Sequence, residues 1–220
     1  MIKVENINTW GFEHAIRGMR NPMNSWAKSD SLFDGKNILN EQIIEKGTLL
    51  SGIGKKDMEL MQKLYKAGTE HRKYLRQIFV SMDITAPLYW WKEFDTYKIG
   101  TVANSCSTMH SIHKKPFELD DFSHEHLSNN SVKVLNHVIK CMNDYREEFI
   151  KDKDKHNWWQ LIQLLPSSYN QRRTVTMNYE NVINIIHQRS GHKLDEWRDF
   201  VEILKDLSYI KEIINIDKTC

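Results

Sequence analysis

The chain has 220 residues, long enough to bury a sizeable core. Hydrophobic residues make up 40% and charged residues 27%, a soluble globular balance and not that of a disordered tail. A formal net charge of +2, from 31 basic and 29 acidic groups, argues against a general nucleic-acid coat, and no polymeric nucleic acid is expected as a partner.

Ile2, Val4 and Ile7 in a polar setting predict an opening strand, and Gly11 to Arg20 a short helix stopped by Asn21-Pro22. Residues 23–54 read as irregular, rich in Ser, Asn, Gly and Lys. Met58, Leu60, Met61, Leu64 and Tyr65 recur at helical spacing over Lys56–Ala67, with Gly68 as the stop. Ile78, Val80, Met82 and Ile84 alternate with polar residues as a strand does. Pro87 suits the first turn of a helix running to about Lys98, with Trp90, Trp91, Phe94 and Tyr97 on one side. Segment 99–130 is less regular. A long helix follows from Val132 to about Lys151 on the stripe Val134, Leu135, Val138, Ile139, Met142, and runs into the solvated charges of residues 151–155. A helix from Trp158 to Leu165 is stopped by Pro166; Arg173–Met177 is β-rich; Tyr179–Arg189 and His192–Leu207 are helical. The pattern predicts a single α+β domain over residues 1–220, with helices packed around a small mixed or antiparallel sheet.

Cysteines Cys106, Cys141 and Cys220 are odd in number and form no CxxC, so neither a disulfide framework nor a zinc site follows. The opening Met1-Ile2-Lys3-Val4-Glu5 lacks the apolar run of a signal peptide, and no stretch has the length of a membrane span. A cytoplasmic protein is expected, with no membrane partner. His110, His113, His124 and His126 offer nitrogens, but no carboxylate or thiolate at matched spacing, so no metal is expected. There is no GxSxG and no Gly-rich phosphate loop.

The candidate site residues come mainly from residues 165–198. Arg189 falls on the apolar side of its helix, where it could hold a ligand or satisfy the last carbonyls. Arg198 stands at the edge of the face formed by Leu194, Trp197, Val201 and Leu204. Arg172-Arg173 could bind an anion or protect a strand edge, and Asn178 has the position of an N-cap. The small polar run Ser105-Cys106-Ser107-Thr108 can present hydroxyls and N–H groups to an anion, or be an ordinary loop. Arg172, Arg189 and Arg198 together are expected to converge on one pocket for an anionic ring compound.

In order and spacing, Leu165-Pro166, Arg172, Thr176-Met177-Asn178, Arg189 and Glu196-Trp197-Arg198 resemble the late signature of the flavin-dependent thymidylate synthases, which closes on Glu-Ile-Arg. Asp57, Leu60, Leu64, Gly68 and His71 resemble that family's helix leading to a histidine, and the likeness spans roughly residues 55–110 and 160–205. The family's central Arg-His-Arg-x-x-Ser-x-Asn-Glu-x-Ser-x-Arg-Tyr, preceded by glutamine, is altered. Here the stretch reads Glu93, Thr96-Tyr97-Lys98, Thr101, Asn104-Ser105, Ser107 and Met109-His110. A lysine cannot reproduce the bidentate contacts of the lost arginines.

The resemblance implies an enzyme that methylates dUMP to dTMP with FAD, NADPH and methylenetetrahydrofolate, in a homotetramer whose sites lie between subunits. It implies that Arg198 polarises the pyrimidine, that Glu93, Ser105, Ser107 and Arg172 contact the nucleotide, and that His71, Lys98, Asn104 and Arg189 contact the flavin. The alternative is a non-catalytic or repurposed relative that binds a nucleotide or flavin, or only assembles, on the same scaffold.

Overall fold

In the computed structural model, which describes residues 1–33, 36–37 and 52–215, four strands form one antiparallel sheet in the order β1-β4-β6-β5. These are β1 (Lys3–Trp10), β4 (Phe79–Pro87), β5 (Thr101–Ser105) and β6 (Asn170–Asn178); β2 (Leu32–Phe33) and β3 (Lys36–Asn37) make a separate small ladder. The helices are α1 (Phe12–Arg20), α2 (Lys55–Lys66), α3 (Leu88–Phe94), α4 (Thr108–Ser111), α5 (Asn129–Asp152), α6 (Lys155–Leu164), α7 (Tyr179–Arg189), α8 (Asp195–Lys205) and α9 (Ile210–Ile214).

Period-two alternation explains how the sheet is covered. Val80, Met82, Ile84 and Ala86 of β4 and Val175 and Met177 of β6 are buried in one core with Trp90, Trp91 and Phe94 of α3, the apolar face of α7, and Trp197 and Phe200 of α8. Ser81, Asp83 and Thr85 alternate with them and stand directly opposite Thr176, Thr174 and Arg172 on the other face. A second core joins Phe117 and Phe122 to Leu135, Ile139 and Met142 of α5 and Leu161 of α6.

Two glycines are fixed by close approach. Gly11 (φ +93°) enters α1 where a Cβ would lie 2.1 Å from the Gln77 carbonyl oxygen. Gly100 (φ +71°) turns the chain into β5 where a Cβ would lie 2.4 Å from Asn178 Nδ2. Asn181 Nδ2 secures that turn by donating to the Ile99 carbonyl at 2.5 Å and to Thr101 Oγ1 at 2.9 Å.

Several boundaries differ from the sequence reading. Pro87 closes β4 and caps α3, which ends at Phe94, so Tyr97 and Lys98 lie in the turn beyond the helix. β5 stands in a segment that reads as irregular. Helix α8 begins at Asp195, three residues later than its apolar pattern suggests. Val134 is 65% exposed and drops off the α5 stripe. Of the irregular 23–54 segment, residues 34–35 and 38–51 lie outside the described residues, as does Cys220.

Candidate functional site

The candidate residues fall into three neighbourhoods. At the junction of α3, α7 and α8, Glu93 Oε2 accepts hydrogen bonds from Arg189 Nη1 at 2.8 Å and Trp197 Nε1 at 3.0 Å, with His192 Nε2 at 3.2 Å. Arg189 Nε donates to the Tyr97 hydroxyl at 2.9 Å, and its guanidinium lies 4.6 Å from the centre of the Trp197 ring. The expectation that Arg189 satisfies helix carbonyls is therefore replaced by side-chain contacts. Arg198, in the first turn of α8, donates to the His192 carbonyl at 2.9 Å and pairs with Asp195, which also lies 3.1 Å from His126.

The second neighbourhood is the β5–β6 edge. Asn104 pairs with Thr174 and Ser105 with Arg173, and the Cys106 amide donates to the Arg172 carbonyl at 2.9 Å. Buried Gln171 donates to the Cys106 carbonyl at 2.9 Å, and Ser107 Oγ caps α4 by accepting from the His110 amide. Arg172 Nη2 reaches Asp83 Oδ2 at 2.7 Å, with Glu5 at 3.8 Å. The Thr174 hydroxyl, the Asn6 amide and Arg172 hold the Asp83 carboxyl well below the usual carboxylate range, and Asp83 in turn raises Arg172.

The third is a cleft of about 460 Å³ beside the start of α7, lined by Arg76, Thr96, Tyr97, Lys98, Ile99, Asn178, Glu180, Asn181 and Asn184. Glu180 Oε1 accepts from Arg72 Nε at 2.9 Å. Glu180 Oε2 is buried without a hydrogen bond among the described residues; Arg76 Nε is 4.0 Å away. His71 is exposed in the turn after α2 and does not line this cleft.

The backbone of Asn104 to Ser107 thus runs beside Arg172 and Arg173, with Asn104 on the sheet face of Arg172 and Ser105 on that of Arg173, while Glu93, Arg189 and, through His192, Arg198 come together. Lys98 stands on the cleft between Tyr97 and Ile99. The expected convergence of three arginines does not occur within one chain. Arg172 stands on the open face of the sheet, whereas Arg189 and Arg198 belong to the helical layer on the other.

Reading the sequence alone missed Arg72, Arg76, Gln171 and Glu180. Glu180 carries the one local signal, an acidic residue in the first turn of a helix capped by Asn178 Oδ1. Its partner Arg72 is 108 positions away, beyond any local pattern. Among the described residues no three His, Cys, Asp or Glu side chains gather as a metal site, and no helix is long and apolar enough to cross a membrane.

No protein-family model matches the chain, and no curated protein matches it in sequence. Solved structures do match in fold. A crystal structure of the flavin-dependent thymidylate synthase ThyX from Helicobacter pylori, complexed with FAD and dUMP, superimposes with a TM-score of 0.65 at 17% identity, over 97% of this chain and 96% of that one. A second Helicobacter pylori ThyX structure with FAD and dUMP gives 0.67 at 18% identity, over 97% of each chain. The chain therefore has the fold of a flavin-dependent thymidylate synthase.

Proposed function

We propose that this chain is a divergent flavin- and pyrimidine-nucleotide-binding enzyme that reductively methylates dUMP to dTMP, working as a cytoplasmic homotetramer. The observation that carries the reading is the likeness in fold, over nearly the whole chain, to an enzyme solved with FAD and dUMP. The late Arg172, Thr176, Asn178, Arg189, Arg198 series supports it.

The residues of the cleft fit a dinucleotide. Lys98 and Arg76 offer cations to phosphates, Asn178, Asn181 and Asn184 offer amides, and the orphaned Glu180 oxygen needs a donor such as a hydroxyl. FAD bound there supplies the reducing equivalents, with NADPH and methylenetetrahydrofolate as co-substrates. Arg172 and Ser107 hold the nucleotide phosphate, with Asn104 on the sheet face of Arg172 and Ser105 on the opposite face. Arg198 polarises a pyrimidine carbonyl through whichever donors its contacts with Asp195 and the His192 carbonyl leave free. Sites built between subunits reconcile the separation of Arg172 from Arg198 within one chain.

One observation favours a second reading, a non-catalytic relative on the same scaffold. Each of the three arginines already has a carboxylate partner in its own chain: Asp83 for Arg172, Glu93 for Arg189 and Asp195 for Arg198.

The test is release of tritium from C5-labelled dUMP when FAD, NADPH and methylenetetrahydrofolate are supplied. The enzyme reading expects release that Arg198→Ala abolishes. Binding of flavin and dUMP without release supports the second reading.

A further inference from the structure

Glu93 is one short carboxylate facing three donors. Its Oε2 receives Arg189 Nη1 at 2.8 Å and Trp197 Nε1 at 3.0 Å, with His192 Nε2 at 3.2 Å. A guanidinium, an indole N–H and an imidazole around one oxygen form the kind of donor set that receives an oxyanion.

Two of the donors, Arg189 and Trp197, are anchored independently of Glu93. Arg189 is tied to Tyr97 through Nε and lies over the rings of Trp197 and Tyr97, at 4.6 and 5.6 Å. Trp197 is fully buried among Trp90, Phe94 and Phe200. The acceptor is held less firmly. Glu93 lies near the end of the seven-residue α3, and its side chain is 36% exposed against 19% for Arg189. Tyr97 belongs both to this box and to the wall of the 460 Å³ cleft, so the two adjoin.

We infer that Glu93 is an internal latch: its carboxylate occupies an anion site centred on Arg189, and an incoming phosphate or pyrophosphate group must displace it to bind there. The inference builds on the dinucleotide reading of the adjoining cleft, yet it concerns only the anion site. An ion pair placed for stability alone would lose stability on neutralisation and gain no ligand affinity. A latch gains affinity, because the ligand no longer competes with a resident charge.

The probe is inorganic pyrophosphate, titrated calorimetrically. Glu93→Gln keeps an acceptor for Trp197 and removes the charge, and is expected to bind pyrophosphate about tenfold more tightly than the parent chain. Adding Arg189→Gln to that variant abolishes the gain, which excludes a cation elsewhere. Unchanged or weaker affinity in a Glu93→Gln protein with a native circular dichroism spectrum overturns the latch. A measurement on the unmutated protein stands beside it: saturating pyrophosphate shifts the Trp197 indole N–H resonance as Glu93 leaves, and an unmoved resonance also overturns the proposal. FAD titration of the unmutated protein reads the flavin assignment separately, so either idea can fail while the other stands.

Discussion

Arg172 and Arg173 are neighbours in the chain and stand on opposite faces of the sheet. Arg172 reaches Asp83 on the open face, at 2.7 Å. Arg173 turns inward, with its guanidinium 4.2 Å from the centre of the Trp91 ring, Nη1 2.7 Å from Asp95 and Nε 3.0 Å from Gln171 Oε1. Arg173→Lys gives up the planar stack and the fork, and is expected to cost about 1–2 kcal/mol in urea denaturation. Arg172→Lys leaves the denaturation midpoint unchanged.

The proposed nucleotide-binding role reverses that contrast. Arg172→Ala is expected to weaken dUMP about ten- to a hundredfold while leaving deoxyuridine unaffected, because only the phosphate contact is lost. Equal losses for nucleotide and nucleoside, in parallel titrations, contradict the assignment of Arg172 to phosphate.

This pair of arginines also marks how far the sequence could be read. Alternating Val80, Met82 and Ile84 announce β4, and the β-rich Arg173–Met177 announces β6, because burial of one face leaves a period-two trace. Helix α7 runs from Tyr179 to Arg189, as its apolar spacing predicts, between an Asn178 cap and a Ser190-Gly191 stop. β5 leaves no such trace: Val102, Ala103 and Asn104 are all exposed, and the strand exists through pairing with β6 and through Asn181 holding its turn. Candidate residues could be named from the sequence, but their geometry and the Arg72–Glu180 pair could not. The partners of its three arginines include Asp83 and Glu93, 89 and 96 positions away, which no local pattern reveals.

Asp57 joins α2 to the end of α1. Its carboxylate accepts from Arg20 Nε at 2.6 Å, from the Ser29 and Ser31 hydroxyls at 2.7 and 2.6 Å, and from the amides of Asp30 and Ser31. Burial alone pushes this carboxyl up, but the two serine hydroxyls and Arg20 outweigh it and hold it below the usual range. Asp57→Ala strands a buried guanidinium and is expected to cost about 3–5 kcal/mol. With its folded pKa depressed, Asp57 contributes stability that is full above its unfolded value of about 3.9 and is lost as pH falls through the folded value. Denaturation curves from pH 7 to 2 should therefore show a decline below about pH 4 that Asp57→Asn flattens.

Arg72→Ala leaves the largely buried Glu180 carboxylate without its hydrogen-bonded partner, with only Arg76 at 4.0 Å, and is expected to cost about 3 kcal/mol. Adding Glu180→Gln recovers part of the loss, since a neutral amide is less costly to bury than an unpaired charge. A double-mutant cycle with no recovery contradicts this account of the cleft wall.

The most direct test of the central claim is a titration of the purified, unmutated protein with FAD, followed by flavin fluorescence. Saturable one-to-one binding, weakened when Lys98 and Asn184 are both replaced by Ala, is the predicted result. A protein of native circular dichroism that leaves the flavin signal unchanged at every concentration contradicts it.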